Sequence, residues 1–329
     1  MLQEKKILVM ASKQCSSRVT CALLHLIMLL FLPLLIQSHS THQHQHQNQQ
    51  PFKSLQGCHK GQTVKGLNAI KQYLEMYGYL PHHHNNNTSS GDDDTFDDIL
   101  ESAVKTYQLN FHLNVTGILD SKTLQDMSLP RCGVPDIVDG HTSMRSGKNR
   151  HLGSTTHHTV AHYTFFNGRP RWPSSKTQLT YGFLPGVQVI GTQDLRSACS
   201  RAFDRWARVS HFTFQETQDY RSADLKIGFF RGDHGDGAPF YGPGNAIAHA
   251  FAPTRGWFHF DADEKWGTNQ ASDAFDVESV AVHEIGHLLG LGHSSVGGAI
   301  MYPSISMGVR KVNLHGDDVQ GIKTLYNLN

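Results

Sequence analysis

The segment 283–293, His-Glu-Ile-Gly-His-Leu-Leu-Gly-Leu-Gly-His, constrains the fold more than any other part of this chain. His283 and His287 are four residues apart, so on a helix their rings project from one face, one turn apart. Glu284 directly follows the first of these histidines. The spacing therefore predicts a helix that presents two imidazoles together, with a carboxylate beside them.

A change of chain direction is predicted directly after this helix. Gly290 can take a positive φ at little steric cost, so the helix can end there and the chain can turn back. The turn brings His293 towards the other two rings. Three imidazoles can bind one zinc ion with bonds of about 2.0–2.1 Å and leave one position open for water. An open position is typical of a catalytic zinc site, in which Glu284 can act on the water.

Chance does not account for this pattern. The chain has 23 histidines, so an accidental pair at helical spacing is plausible. The complete pattern, with its glycine and third histidine, is far more specific. An inactive protein that still binds zinc is the remaining alternative, and Glu284 argues against it.

The overall charge excludes some classes of partner. The 329 residues carry a formal net charge of +1 with histidine neutral. A nearly neutral chain offers no electrostatic attraction for nucleic acid or a membrane surface, so we expect neither as a partner. The length is sufficient for two domains.

The N-terminus is typical of a secretory signal. Lys5, Lys6 and Arg18 precede an almost unbroken apolar run, Cys21–Ile36. This pattern predicts a signal peptide over residues 1–38 and secretion into the extracellular space or matrix. The apolar run is shorter than the roughly 20 residues of a bilayer span. An uncleaved signal anchor is the alternative, because no small-x-small cleavage site stands out.

The cysteines do not form a disulfide framework. Cys15 and Cys21 would leave with the signal peptide, and Cys58, Cys132 and Cys199 are too few and too scattered. The fold must therefore depend on a hydrophobic core and on metals. Cys199 lies on the apolar face of a predicted helix and is expected to be buried. A bond between Cys58 and Cys199 is left open.

A small all-α domain is predicted over residues 52–130. Apolar residues recur at three- and four-residue steps in three segments: Val64, Leu67, Ile70, Leu74 and Tyr77; Phe96, Ile99, Leu100, Ala103, Val104 and Tyr107; Leu124 and Met127. The acidic run 92–94 suits the start of the second helix, and Asp120 can cap the third. Asn86, Asn87 and Asn114 begin Asn-x-Ser/Thr sequons, which predict a glycoprotein.

Three segments have few apolar residues. Residues 41–50 and 81–91 are polar and of low complexity, so we predict a disordered tether and a loop. Residues 137–161 are rich in His, Ser, Gly and Thr. They are predicted to be an exposed linker that is open to proteolysis.

The second half of the chain has a different pattern. Strands are predicted over residues 178–183, 212–215, 224–230, 247–251 and 258–261, and helices over residues 195–209, 275–291 and 317–326. Strands with intervening helices indicate an α/β arrangement with a mostly parallel sheet.

These motifs resemble one protease family. With the zinc motif, the segment Ala299-Ile-Met-Tyr-Pro303 resembles the methionine turn of the metzincins, in which Met301 would be the methionine. Arg169-Pro-Arg-Trp172 resembles the start of a matrix metalloproteinase catalytic domain, and the similarity extends from about residue 55 to 328. No haemopexin-like domain follows, and Gly57-Cys-His-Lys-Gly61 is similar to the plant-type members.

The resemblance implies a domain organisation. A metzincin catalytic domain of mixed α+β and α/β character, with a mostly parallel, twisted five-stranded sheet and three helices, is expected over residues 162–329. A propeptide is expected over residues 39–161, with the three-helix domain similar to peptidoglycan-binding domains.

Residues 130–136, Pro-Arg-Cys-Gly-Val-Pro-Asp, resemble the family's cysteine switch. A thiolate is a good zinc ligand, so Cys132 in the open position would displace the catalytic water. Arg131 and Asp136 could form an ion pair that holds the segment in the cleft. The chain would then be a latent zymogen, activated when a protease cuts within the linker, at about residues 150–162. A free surface cysteine is the alternative.

The resemblance implies further metal ligands. His234, Asp236, His249 and His259 would hold a second, structural zinc, whose four ligands leave no open position; ordinary polar loop residues are the alternative. Calcium is expected in unknown number, from carboxylate and carbonyl oxygens. The candidate ligands are Asp224, Gly242, Gly244, Asp261 and Glu264. Two departures weaken this set: Tyr241 replaces a frequent aspartate, and the loop 252–258 is short and lacks an acidic residue.

The resemblance implies a zinc endopeptidase that hydrolyses extracellular proteins such as collagen. Glu284 would be the general base. An extended substrate would pair with the strand around Ala248, and Tyr302, Pro303 and Ile305 would line a pocket for a hydrophobic residue after the scissile bond. Of Asp317 and Asp318, one would support the methionine turn and the other would receive the new N-terminus.

Two rival functions are a wall-polymer-binding protein and a zinc-binding pseudoprotease. The wall-polymer-binding alternative depends on the helical domain, because that domain is similar to peptidoglycan-binding domains. Peptide cleavage after removal of the N-terminal region distinguishes both rivals from a protease. We expect a monomer whose partners are protein or peptide substrates, an activating protease and, for the helical domain, a cell-wall or matrix polymer.

Overall fold

The computed structural model describes residues 52–81, 94–144, 162–269 and 271–329. The predicted signal peptide, the tether 41–50, the sequons at Asn86 and Asn87, and residues 145–161 of the linker lie outside this part of the chain. Within it, no helix has both the length and the apolar character needed to cross a membrane.

Three helices form the N-terminal domain, as predicted. They are α1 (Leu67–Met76), α2 (Asp98–Asn110) and α3 (Ser121–Met127), preceded by a 3-10 turn at Lys53–Leu55. Their apolar faces bury Ile70, Leu74 and Val104 in a common core. Asp120 caps α3, because its Oδ1 accepts a hydrogen bond of 2.8 Å from Thr123 N.

The predicted start of α2 is wrong. Asp97 is its N-cap and accepts a hydrogen bond of 2.7 Å from Leu100 N. Asp94 instead accepts hydrogen bonds from Gly66 N at 2.9 Å and Asn68 N at 3.1 Å, at the start of α1. The reason is tertiary, because the chain before α2 returns antiparallel to the chain before α1. The negative charge of Asp94 therefore stabilises the N-terminus of α1 and not that of α2.

The predicted linker begins later than residue 137. Two short strands, β2 (Ile137–Val138) and β3 (His141–Thr142), form a hairpin. Met144 follows this hairpin and is fully buried in the core of the helical domain. The prediction of an exposed linker is therefore wrong for Ser143 and Met144, which are buried, whereas residues 138–141 are exposed as predicted. The segment has too few apolar residues to give a periodic pattern, and Met144 is buried by contact with a distant part of the chain.

The C-terminal domain is built on a mixed sheet, as predicted. Its strands are β5 (Gln178–Phe183), β6 (Thr213–Glu216), β7 (Leu225–Phe230), β8 (Ala246–Ala250) and β9 (Trp257–Asp261). The strand order is β1-β8-β9-β7-β5-β6, in which β1 (Arg131–Cys132) comes from the N-terminal region. Only the pair β8–β9 is antiparallel. The five predicted strands are present, and the propeptide region adds a sixth at the β8 edge.

Smaller strands flank this sheet. The strands β4 (Tyr163–Phe165) and β12 (Leu291–Ser294) form one antiparallel pair, and β10 (Trp266–Gly267) and β11 (Phe275–Asp276) form one parallel pair.

Three helices complete the domain: α4 (Thr192–Ala207), α5 (Val277–Leu288) and α6 (Gly316–Tyr326). The helix α5 is shorter than predicted at both ends. Asp276 caps it by accepting a hydrogen bond of 2.8 Å from Ser279 N. Gly290, with φ of +102°, follows its last turn.

Among the described residues, Cys58 and Cys199 are the cysteines outside the switch, and they are not bonded to each other. Cys199 lies on α4 in the core of the C-terminal domain, whereas Cys58 lies in the core of the helical domain. Both are free thiols, so the bond that the sequence left open is not formed. The predicted burial of Cys199 is confirmed.

A buried carboxylate connects α4 to α5. The side chain of Glu278, 1% exposed, accepts hydrogen bonds from Arg201, Arg205 and Arg310 at 2.7–3.3 Å. Arg310 also binds Asp276, the cap of α5, at 3.0–3.1 Å. These contacts join α4, the start of α5 and the segment that precedes α6.

Glu278→Gln tests this network. Burial alone would raise the pKa of Glu278, but Arg310, Arg201 and Arg205 lower it below its usual value. Such a carboxylate contributes stability above its unfolded pKa of about 4.3, and loses that contribution as pH falls through the lower folded pKa. We expect a loss of about 2 kcal/mol in the free energy of unfolding at pH 7, measured by urea denaturation and diminishing below about pH 4.

Glu101→Gln is the matched control, because Glu101 pairs with Lys105 on the partly exposed surface of α2. Its loss should cost less than about 0.5 kcal/mol. A cost of Glu278→Gln that is the same at pH 3 and pH 7 would contradict the assignment.

Candidate active site

The helix α5 and the strand β12 bring the three predicted imidazoles together. His283, Glu284 and His287 lie on α5, and the turn at Gly290 directs β12 so that His293 faces them. The ligand atoms of these three histidines and of Cys132 lie within 4.8 Å of one another.

Hydrogen bonds fix the tautomers of the two helical histidines. The Nδ1 of His283 donates to Ile300 O at 2.7 Å, and the Nδ1 of His287 donates to Leu291 O at 2.8 Å. Burial lowers the pKa of both rings, so they are neutral and their Nε2 atoms carry lone pairs. These Nε2 atoms are 3.1 Å apart. Two lone pairs this close repel each other, and a cation between them removes the repulsion.

His293 presents its ring in the same way. Its Nδ1 donates to Asp136 Oδ1 at 3.0 Å, and its Nε2 is buried without a hydrogen-bond partner among the described residues. Ligands bonded to zinc at about 2.0–2.1 Å are about 3.3 Å apart in a tetrahedron, close to the separation seen here. The donor set therefore fits zinc.

Cys132 occupies the fourth corner of this site. Its Sγ lies 3.5 Å from His287 Nε2. Burial raises the pKa of the thiol well above its usual value, and the nearby Glu284 adds to the effect. A bound cation reverses this tendency, because it favours the thiolate.

Backbone hydrogen bonds hold the segment around Cys132 in a cleft. Gly133 N donates to Ala248 O at 2.7 Å, on β8, and Cys132 N donates to Pro303 O at 2.8 Å, on the opposite wall. Ile305 N donates in turn to Pro130 O at 3.1 Å. The strand and the wall predicted to bind substrate are thus both covered by residues 130–133.

Arg131 is fully buried in a cage of aromatic rings. Its guanidinium lies 3.7 Å from the centre of the Tyr77 ring and donates to both Asp136 oxygens, at 2.6 and 2.9 Å. Burial alone would raise the pKa of Asp136, but Arg131 and His293 bring it down to about 2. Tyr79 OH also donates to Asp136, at 2.9 Å.

The predicted ion pair between Arg131 and Asp136 is present. The contact of Asp136 with His293 and the aromatic cage were not predicted. No local sequence signal gives them, because the partners come from distant parts of the chain.

Glu284 lies beside the imidazoles. Its carboxylate is fully buried, and neither oxygen has a hydrogen-bond partner among the described residues. Burial raises the pKa of Glu284 to about 8. A carboxylate with a raised pKa is a stronger base, as a proton acceptor near neutral pH must be.

A second group of possible metal ligands lies on the other side of β8. One oxygen of Asp236, Oδ2, is 2.7–2.8 Å from His234 Nε2, His249 Nε2 and His259 Nδ1. His234 donates from Nδ1 to Gly232 O at 2.9 Å, so in the neutral ring its Nε2 lone pair faces the carboxylate. Burial lowers the pKa of His249 and lowers that of His259 to about 4. Converging lone pairs again fit a cation, and three nitrogens with one oxygen fit zinc.

Comparison with known proteins gives the family. Residues 171–327 match the family model "Matrixin". Metalloendoproteinase 2-MMP of Arabidopsis thaliana is 49% identical over 289 residues, which cover 84% of this chain and 75% of that protein. The chain belongs to the matrixin family.

Other relatives agree with this membership. Metalloendoproteinase 1 of Glycine max is 46% identical over 307 residues, which cover 92% of this chain and 95% of that protein. Human matrilysin is 37% identical over 231 residues, 69% of this chain and 76% of that protein. The predicted resemblance to the plant-type members is confirmed, and this matrixin is a zinc-dependent metalloendopeptidase. The helical domain matches a peptidoglycan-binding domain model over residues 64–127.

The candidate calcium ligands of this matrixin do not form a single site. Asp224 accepts from Lys176 Nζ and Thr180 N, both at 2.8 Å, at the start of β7. Asp261 ends β9, which is parallel to β7, so the two carboxylates lie at opposite ends of neighbouring strands. Asp224 therefore does not share a site with Asp261 and Glu264.

The remaining candidates are close together. Glu264 Oε1 accepts from Gly244 N at 2.7 Å, and the backbone of Glu264 bonds that of Asp261. Asp261 Oδ2 is buried without a hydrogen-bond partner among the described residues, and burial raises its pKa to about 6. An unpartnered buried oxygen fits a cation. Gly242 offers its carbonyl to Asn245 Nδ2, at 3.2 Å.

The two acids on α6 have different partners. Asp318 accepts from Ile300 N at 2.9 Å and Met301 N at 3.0 Å, so it supports the methionine turn. Asp317 accepts from His162 N at 2.9 Å and Ser294 Oγ at 2.7 Å. Met301 is buried against α5, where Gly286 leaves room for it.

Gly286→Ala tests the packing below the zinc ligands. A Cβ at Gly286 would overlap Met301 Sδ and lie 3.0 Å from Trp206 Cζ2. Overpacking a close-packed core costs about 1–3 kcal/mol, which exceeds the helix propensity gained over glycine. We expect a lower unfolding temperature in calorimetry. Gly316→Ala, at an open position in the first turn of α6, should not lower it. Equal effects of the two substitutions would contradict this account.

Proposed function

We propose that this matrixin is a secreted zymogen whose activity is blocked by Cys132. The observation that carries the proposal is the position of the Cys132 thiol, at the fourth corner beside three converging imidazoles. The site would otherwise keep one open position, as a catalytic zinc site does. The aromatic cage around Arg131 and the ion pair with Asp136 support a latent state that is held by the helical domain.

The reaction is hydrolysis of a peptide bond. His283, His287 and His293 would hold zinc, which supplies Lewis-acid polarisation of a carbonyl and of water. Glu284 would accept the proton of the attacking water and pass it to the leaving amine. The complete burial of its carboxylate, with the raised pKa that follows, supports this role.

Substrate would occupy the cleft that residues 130–133 now fill. The backbone of β8 around Ala248 offers hydrogen bonds to an extended chain. Tyr302, Pro303 and Ile305 would face the side chain after the scissile bond, and their apolar character favours a hydrophobic residue. Extracellular matrix proteins such as collagen are the proposed substrate class, and the enzyme would act as a monomer.

A second zinc, calcium and a glycan would have structural roles and would take no part in catalysis. His234, Asp236, His249 and His259 would hold a second zinc, and Asp261 with Glu264 would contribute to a calcium site. Asn114 is exposed and is the candidate glycosylation site within the described residues.

Activation would require removal of the N-terminal region by another protease. Asp317 already accepts a hydrogen bond from His162 N. A cut just before residue 162 would convert this nitrogen into an ammonium group without moving it, and ion pairing would then favour the active form. Secretion to the extracellular space, directed by residues 1–38, is part of the proposal.

Glu284→Ala tests the catalytic role. Loss of a general base should reduce kcat/KM by at least about a hundredfold, measured with a peptide after proteolytic removal of the N-terminal region. Mass spectrometry should find the same zinc content in both proteins and would read the new N-terminus. Equal cleavage by both would refute the role of Glu284. No cleavage by either would favour the wall-polymer-binding function.

Cys132→Ser tests the latch. A hydroxyl is a much weaker zinc ligand than a thiolate, so the intact chain should cleave peptides or process itself without an added protease. Cys58→Ala removes a thiol from the helical core and should stay latent. A Cys132→Ser protein that is fully latent would show that the propeptide blocks the cleft by packing alone.

A further inference from the structure

The segment between the methionine turn and α6 inserts a charged residue into the substrate pocket. Lys311 follows Arg310 in this segment, and its side chain lines a cavity next to His283 and Glu284. The apolar wall at residues 302–305 is therefore not the whole lining of the pocket, and no sequence motif indicates the contribution of Lys311.

The cavity is small. Its volume is about 20 Å³ in the intact chain, in which Cys132 is one of the lining residues, and this is enough for about one water molecule. Val280 and Ile300 line it together with Lys311. These three residues belong to the C-terminal domain, so removal of the N-terminal region takes Cys132 away, enlarges the cavity and leaves Val280, Ile300 and Lys311 in place.

Hydrogen bonds hold both the backbone and the side chain of Lys311. Its backbone N donates to Ser279 Oγ at 2.8 Å, and its Nζ donates to Gly297 O at 3.0 Å. The preceding residue, Arg310, is bound to the buried Asp276 and Glu278. A side chain entering the pocket would have to break these contacts to displace Lys311.

The Lys311 side chain presents two chemical surfaces. The residue lines the cavity, while its ammonium donates to the exposed carbonyl of Gly297, in the manner of a snorkelling lysine. Burial lowers the pKa of Lys311 to about 8, consistent with partial removal from water. The ammonium lies 5.6 Å from the centre of the Tyr302 ring, on the same wall.

We propose that Lys311 determines which side chain is accepted after the scissile bond. Its stem closes the end of the pocket, so leucine is accepted and the longer phenylalanine is rejected. Its ammonium repels a second cation, so lysine is rejected although the walls would accommodate its stem. The inference rests on the proposed peptidase function and on the pocket at residues 302–305.

The test uses the full-length chain after proteolytic activation. Three peptides differ only in the residue after the scissile bond, which is Leu, Phe or Lys, and kcat/KM is measured for each. The wild type should prefer Leu over both others. Lys311→Ala should reduce the Leu/Phe ratio by at least about tenfold, because one methylene in an apolar pocket is worth about that much.

Lys311→Met is the matched control, because it keeps the length of the side chain and removes its charge. It should retain the Leu/Phe ratio and reduce the Leu/Lys ratio. Arg310→Gln removes the contacts of residue 310 with Asp276 and Glu278 but replaces no residue that lines the pocket. Lys311 is then held less firmly, so the Leu/Phe ratio should fall as in Lys311→Ala. This second variant keeps the test decisive if Lys311→Ala does not fold.

The outcomes separate the two proposals. Failure of the wild type to cleave any of the three peptides would count against the peptidase function itself. Cleavage with Leu/Phe ratios that are equal in wild type, Lys311→Ala and Arg310→Gln would overturn the role of Lys311 alone. An equal fall of that ratio in Lys311→Met and Lys311→Ala would also overturn it, since length would not be the cause.

Discussion

Three imidazole lone pairs that converge on one point are the constraint on which the rest of the structure depends. Backbone carbonyls at Ile300 and Leu291 fix the tautomers of His283 and His287, and burial keeps both rings neutral. The same carbonyls belong to the methionine turn and to β12, so the elements around the site and the ring orientations are set by one group of hydrogen bonds. Such outer partners of metal-binding histidines control the geometry that a metal encounters.

One carboxylate joins the helical domain to the third imidazole of this cluster. Asp136 joins His293 to Arg131 and to Tyr79, and all four side chains are buried. A buried ion pair is stable only if its remaining hydrogen-bonding positions are satisfied, and here residues of three separate segments satisfy them. The latch, the aromatic core of the helical domain and the third imidazole therefore form one network. Disturbance of the aromatic core would weaken the hold on Cys132 without any change at the metal ligands.

Local patterns predicted most of the elements correctly. The four-residue spacing of His283 and His287 predicted the helix, Gly290 predicted its end, and Asp120 predicted a cap, because each depends on residues within one or two turns. The failures have a common cause. Asp94 caps a helix that precedes it by about 26 residues, and Met144 is buried by a distant core.

By itself the sequence predicted the candidate zinc ligands, the candidate general base, the order of helices and strands and the resemblance to the matrixins. Spacing over a few residues encodes these features. Only the tertiary structure decided how Cys132 is held at the fourth corner of the site and which residues line the cavity beside it. Cys132 and His287 are 155 positions apart, and their atoms meet only because β1 adds to the edge of β8. Lys311 reaches the pocket because Arg310 is held by acids at the start of α5. Contacts between distant segments depend on how whole elements pack, and no local periodicity specifies that packing.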